Sequence, residues 1–316
     1  MASSNVATEE GWLTLPDSHK LYTKTWKTSG PPKARIILVH GFSDHVNMYN
    51  DLLNSLASKG IQVHAFDQRG WGRSVQAPAQ KGLTGPTENV LEDITSFIKS
   101  VTATDSDDAV PLFLMGHSMG GAETLMYAAN GPPEVLRKFR GFIAEAPFVA
   151  LHPSTRPWKS TVVLGRLAGK LLPHMHMVNK LDPKLLSRDP EIAKQFKADP
   201  LCHETGTLEG LAGMLDRAAA LENGDVVVKE GMGEGGKTRI LVLHGTADGI
   251  CDFQATKKMY DRLSGIQDRE MRVFEGGYHV LHAEPGEDGR RFKGDLVKWI
   301  MDRSGPLEGG MAKPRL

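Results

Sequence analysis

Apolar residues recur along the chain with two distinct periods. Residues 11–15 and 21–26 are short β-rich runs parted by the turn signal Pro16-Asp17-Ser18, a pattern that predicts a hairpin. After Pro31-Pro32 the texture changes. Continuous apolar runs bounded by turn residues follow at 35–39, 61–66, 111–115, 141–144, 239–243 and 271–274. Their length and composition read as parallel strands buried on both faces. Between them, 47–58, 87–101, 119–130, 253–263 and 290–301 carry apolar residues at three- and four-residue steps, as in the face Val90, Ile94, Phe97, Ile98 and Val101. Strand alternating with helix predicts the α/β class, a mostly parallel, doubly wound sheet with an antiparallel start.

Residues 149–220 interrupt this alternation. The stretch is too long for a crossover, shows no clear strand and is helical in texture, so it is expected to form a cap inserted between core segments 1–148 and 221–316. Within it Leu164, Leu167, Ala168, Leu171 and Leu172 share one helical face, Arg166 and Lys170 occupy the other, and Pro173 ends the helix. The apolar face is expected to cover the core, and also to offer a surface that touches lipid.

Composition narrows the function. Across 316 residues, 38 Lys+Arg balance 38 Asp+Glu, so no global field gathers a polyanion and nucleic acid is not expected as a partner. The balance hides a local excess: 151–188 carries seven basic residues against the single Asp182, as a surface meeting anionic headgroups would. Two cysteines and no glycosylation sequon point to a reducing, cytoplasmic setting. Residues 1–10 lack the features of a secretory leader and no apolar run reaches about 18 residues, so the expectation is a soluble protein, at most peripheral on membranes or lipid droplets. The terminal Pro314-Arg315-Leu316 resembles a peroxisomal address only by chance. Oligomeric state is left open.

One motif is a decoy. Residues 231–238 match the phosphate-loop pattern, but that loop works only when a helix N-terminus follows, and here the β-branched run 239–243 follows. A flexible loop entering a strand is expected.

Gly116-His117-Ser118-Met119-Gly120 instead sits between a predicted strand and a predicted helix, as the nucleophile elbow requires. Its serine needs a base to take its proton and a carboxylate to fix that base's tautomer. Asp248, just past the strand 239–243, is the expected acid; Asp252 is the rival, more plausible as a helix cap. His279, past the strand 271–274, is the expected base, with His282 packing nearby. The spacings His279-x-x-His282 with Glu284, and His174-x-His176, lack the further ligands a metal site needs, so neither a metal nor an organic cofactor is expected. The oxyanion donors should be the backbone N–H groups of Met119, directly after the serine, and of Phe42, in the loop after 35–39.

These motifs, with His40-Gly41, Gly245-Thr-Ala-Asp248 and Tyr278-His279-Val-Leu-His282, resemble the monoacylglycerol lipase group of the α/β-hydrolases over about residues 12–303. Residues 67–74, Ala198-Asp-Pro-Leu-Cys202 and Cys251-Asp252 strengthen the likeness. The resemblance implies hydrolysis of a monoacylglycerol through an acyl-Ser118 intermediate. It further implies cap helices that hold an acyl tunnel and contact membranes, with His117, Cys202, Cys251, Leu164 and Leu167 near the substrate and thiol-sensitive cysteines. Phe42 is bulkier than its counterpart in many relatives, and 222–237 looks like an insertion. Epoxide hydrolases use an elbow aspartate and cap tyrosines, and 149–220 contains no tyrosine. Proline-type aminopeptidases need cap carboxylates to bind a substrate ammonium, whereas the first half of this cap is basic. A carboxylesterase, thioesterase or lysophospholipase uses the same chemistry and stays open. A noncatalytic binding module would usually have lost part of the triad.

Overall fold

The computed structural model describes residues 6–104, 109–156 and 158–307; the terminal tripeptide lies outside them. Eight strands form one sheet: β1 (Thr8–Thr14), β2 (Lys20–Trp26), β3 (Ala34–Val39), β4 (Ile61–Phe66), β5 (Leu112–His117), β6 (Phe139–Glu145), β9 (Arg239–Gly245) and β10 (Asp268–Phe274). Their order is β1-β2-β4-β3-β5-β6-β9-β10, with β1 and β2 antiparallel and the remainder parallel. The expected hairpin closes at Ser18, whose N–H reaches the Leu15 carbonyl at 2.9 Å.

Alternation along each central strand sends neighbours to opposite faces. Ile36, Leu38, Phe113, Met115 and Leu241 pack on one side with α1 (Asn50–Ser58) and α9 (Gly286–Asp302). Ile37, Val39, Leu114 and Val242 pack on the other with α2 (Thr87–Thr104), α3 (Met119–Asn130) and α8 (Phe253–Asp261). A short α4 (Pro133–Leu136) leads into β6. β10 departs from the fully buried expectation. It has one neighbour, and its outer residues join the ion pairs of Glu270 with Arg272 and of Asp268 with Arg303. Charge is a common way to protect such an edge.

Between β6 and β9 the chain leaves the sheet and forms α5 (Lys159–Leu171), α6 (Pro190–Ala198) and α7 (Leu208–Asn223). The expectation of no strand here needs correction, because β7 (His176–Val178) and β8 (Thr205–Thr207) pair antiparallel. Three-residue strands are too short to show a period. A second correction concerns the direction of α5. Its apolar face does not cover the core: Leu164 is 66% exposed and Leu167 54%, while Gly169 turns toward Leu208 at the start of α7. Absent side chains let two helices approach closely, and the glycine edge of α5 takes the inner position.

The Gly-rich stretch is held far from the carboxyl ends of the strands. Glu230 accepts N–H groups of Thr238 at 2.7 Å and Gln267 at 3.0 Å, and Arg140, near the start of β6, bonds Glu234 at 2.6 Å. It leads directly into β9, as the strand-like run after it required.

Candidate active site

The chain turns from β5 into α3 at Ser118, whose φ of 56° and ψ of −117° lie where L-residues are strained. Such a conformation persists only when its surroundings enforce it. Ser118 N–H donates to the Glu145 carbonyl at 2.9 Å, and its own carbonyl accepts from Phe148 N–H at 2.9 Å. The glycines are obligatory: a Cβ on Gly116 would sit 2.0 Å from the Gly120 carbonyl oxygen, and one on Gly120 2.2 Å from that of Val39.

Asp248 and His279 arrive from the loops after β9 and β10. His279 Nδ1 donates to Asp248 Oδ2 at 2.8 Å, and His244 Nε2 lies 3.0 Å from the same oxygen. Asp248 Oδ1 accepts the N–H groups of Ile250 and Cys251 at 2.8 and 2.9 Å. Burial alone would raise the Asp248 pKa, but the His279 charge and these imidazole hydrogen bonds hold it well below the usual carboxylate range. Burial would likewise lower His279, yet the Asp248 carboxylate raises it well above 6.5. The Cys251 thiol reaches both the His279 ring and the Ser118 hydroxyl; burial pushes it up, so it remains protonated. Asp252, the rival acid, caps α8 by accepting Gln254 N–H at 2.8 Å and pairs with Arg156.

The loop after β3 is tied down from beneath. Tyr49 donates to Asp44 at 2.6 Å, accepts Gly41 N–H at 3.2 Å and lies 2.9 Å from His117 Nδ1. The Gly41 N–H is therefore engaged, and the next N–H in the loop belongs to Phe42. The Phe42 ring packs edge-on against Trp71 at 4.9 Å. Met119 opens α3, where leading N–H groups have no partner within the helix. Burial pushes His117 down to about 3 despite the attraction of Glu145, so its ring is neutral near pH 7. Asp44, Tyr49 and Glu145 escaped the sequence reading. The available signal was polar residues at the carboxyl ends of β3 and β6, where α/β sheets gather their sites.

A cavity of about 560 Å³ opens above the triad, within the range of small-molecule sites. Ser118 and His279 line it beside Asp44, His117 and His282; much of the remaining lining is apolar, including Phe148, Ile192, Phe196, Leu211, Met214 and Leu215, with Asn179, Lys180, Asp182 and Gln195 among its polar residues. Of the remaining expected pocket residues, Leu164 and Leu167 face solvent. Cys251 sits behind the triad rather than in the cavity wall. Cys202 is buried outside it, near the 2.9 Å pair of His45 and Asp199. Potential metal ligands converge, among the described residues, as His45 with Asp199 and Cys202, and as Asp248 with Cys251 and His279. His45 and Asp199 bond each other, and the second set is the expected acid and base with the neighbouring Cys251. The suspected set is dispersed: His282 bonds Glu145 at 2.9 Å, and Glu284 bonds Arg188.

Residues 30–286 match the family described as serine aminopeptidase, S33. Monoglyceride lipase of Mus musculus is 29% identical over 293 residues, covering 92% of this chain and 90% of its own. A solved Paleococcus ferrophilus monoacylglycerol lipase shares 29% identity at a TM-score of 0.74, over 90% of this chain and 99% of that one. A soluble variant of Saccharomyces cerevisiae monoglyceride lipase, solved with a substrate analog, has the same fold at a TM-score of 0.86 and 23% identity, over 97% of this chain and 99% of that one. Sheet order, elbow and family match agree, and the chain belongs to the S33 family as an α/β-hydrolase of the monoglyceride lipase type.

Proposed function

We propose that this enzyme hydrolyses monoacylglycerols to a free fatty acid and glycerol through an acyl-Ser118 intermediate. The observation that carries the reading is the cavity, lined mainly by apolar side chains and reaching Ser118 and His279. His279 takes the Ser118 proton as the hydroxyl attacks the ester carbonyl, and Asp248 stabilises the resulting imidazolium. Negative charge then develops on the carbonyl oxygen, where the N–H groups of Phe42 and Met119 serve as donors. His279 returns the proton to the departing glycerol oxygen. Water activated by the same histidine then releases the fatty acid. No step requires a metal or organic cofactor. The related names support the substrate, and the apolar lining argues against an aminopeptidase despite the family label.

Residues 149–220 act in this reading as a cap over the site, and they form the face that meets membrane or lipid droplet. Trp158 is 82% exposed and Leu171 83%, and Leu164, Leu167, Leu172 and Val178 are exposed with them. A monomeric soluble surface rarely leaves so many large apolar side chains together. Arg166 pairs with Asp216 and lines the cavity, and Lys170 is exposed on the same helix. Among the described residues no helix is long and apolar enough to cross a membrane.

The test compares purified enzyme on monoacylglycerol, diacylglycerol, a lysophospholipid and a short aryl ester. Highest kcat/KM on monoacylglycerol supports the proposal. High turnover of aryl ester with none on monoacylglycerol leaves an esterase of the same mechanism and ends the lipase reading.

A further inference from the structure

His279 must be held within a fraction of an ångström to serve both Ser118 and Asp248, yet it belongs to a loop whose sole regular turn is Leu281–Ala283. Part of the support comes from the sheet, where His117 Nε2 lies 3.3 Å from the His279 carbonyl and His282 N–H donates to Glu145 Oε1 at 3.1 Å; the rest comes from outside it. Val280 N–H, directly after the histidine, donates to the Leu186 carbonyl at 2.7 Å. Tyr278 N–H, directly before it, donates to Glu284 Oε1 at 3.3 Å, and that oxygen also takes Arg188 N–H at 3.3 Å. The Arg188 guanidinium bonds Glu284 Oε2 through Nε, and Ser187 Oγ donates to the Ala283 carbonyl at 3.0 Å. Both neighbours of His279 are thus tied, one directly and one through a carboxylate, to the strap 186–188 of the segment between β6 and β9.

The strap is itself rigid. It follows the 3₁₀ turn Pro183–Leu185 and leads into α6, where Asp189 caps by accepting Glu191 N–H at 2.9 Å and donates its own N–H to Ser187 Oγ at 3.0 Å. The Glu284 side chain is fully buried and Arg188 is its cationic partner, so removing Arg188 leaves a buried carboxylate without its counter-charge. The outer arm of Arg188 meets Asp288 at the surface.

We propose that Arg188 and Glu284 are positioning residues for the catalytic base, a clasp through which the docked cap strap holds the His279 loop in register with Asp248. This rests on the triad reading above. The strap then belongs to the apparatus that positions the base. His279 also faces Cys251 and His117, and neither has a bond to the strap. A shift of the loop therefore strains the 2.8 Å bond to Asp248.

The experiment measures kcat, KM and the pH profile on a soluble short-chain aryl ester, so that lipid binding plays no part. The proteins are wild type, Ser118→Ala, Glu284→Gln, Arg188→Ala, Arg188→Lys and Asp288→Ala. Loss of the clasp is expected to lower kcat by about tenfold to a hundredfold with KM nearly constant. It should also move the acid limb of kcat/KM to lower pH, because a loosened His279 feels less of the Asp248 charge. Arg188→Lys should recover much of the loss, and Asp288→Ala should stay near wild type. Glu284→Gln and Arg188→Ala proteins that lose thermal stability but keep wild-type kcat and acid limb would overturn the clasp. Should Arg188→Ala not fold, Glu284→Gln and Arg188→Lys decide on the same readouts. Turnover surviving in Ser118→Ala would instead overturn the triad reading.

Discussion

A single carboxylate oxygen of Asp248 joins two imidazoles, His279 at 2.8 Å and His244 at 3.0 Å. The raised His279 pKa has a kinetic consequence, since a general base must be neutral to accept a proton. The kcat/KM of wild type should fall as pH drops through a value above 6.5. Asp248→Asn removes the charge that raises His279, so its residual activity should show an acid limb at lower pH. Its kcat should be lower by about 10⁴. Asp252→Asn should leave both the limb and kcat near wild type.

The same carboxylate links stability to acid. Its folded pKa is depressed below 3.8, so its contribution is present above the unfolded value and lost as pH falls through the folded one. Glu145, held below 4.5 against the cost of burial chiefly by the charge and hydrogen bonds of His282, adds in the same direction. Wild type should therefore lose stability steeply below about pH 4. Denaturant midpoints of Asp248→Asn should depend less on pH over that range, and parallel profiles would contradict the assignment.

Tyr49 lies beneath the oxyanion loop. Tyr49→Phe leaves the buried Gly41 N–H and a half-buried Asp44 oxygen without their partner, at a cost of about 1–3 kcal/mol in unfolding free energy. Because Gly41 precedes Phe42, the proposed oxyanion donor, kcat should fall about tenfold or more while KM changes little. Chemical denaturation and steady-state kinetics on one preparation check both.

The outward face of α5 is testable apart from the chemistry. Leu164→Ser with Leu167→Ser should weaken binding to anionic vesicles and leave aryl-ester turnover unchanged, since both side chains already face water. Charge reversal at Lys170 should weaken it further at low salt than at high salt. Vesicle co-sedimentation unaffected by all three changes would remove the cap from the docking surface.

Much of this architecture was legible because strand and helix write different periods. Six strands of the sheet fell where apolar runs predicted them and two where β-rich runs flank a turn signal, and the strand-turn-helix context singled out the elbow at Ser118. Legibility ended where long-range packing decides. The orientation of α5 depends on Gly169 meeting Leu208, which no local period encodes. The His282 partner, Glu145, is 137 positions away, and Arg188 lies 96 positions from Glu284, so neither pairing leaves a sequence signal. β7 and β8 are too short to register.

The central claim is tested most directly by product analysis of wild type and Ser118→Ala on one long-chain monoacylglycerol. Wild type should release fatty acid and glycerol in equal amounts, and Ser118→Ala should fall to background under the same conditions. Turnover by Ser118→Ala at the wild-type rate, or a wild type that releases neither product while remaining folded, would contradict the account.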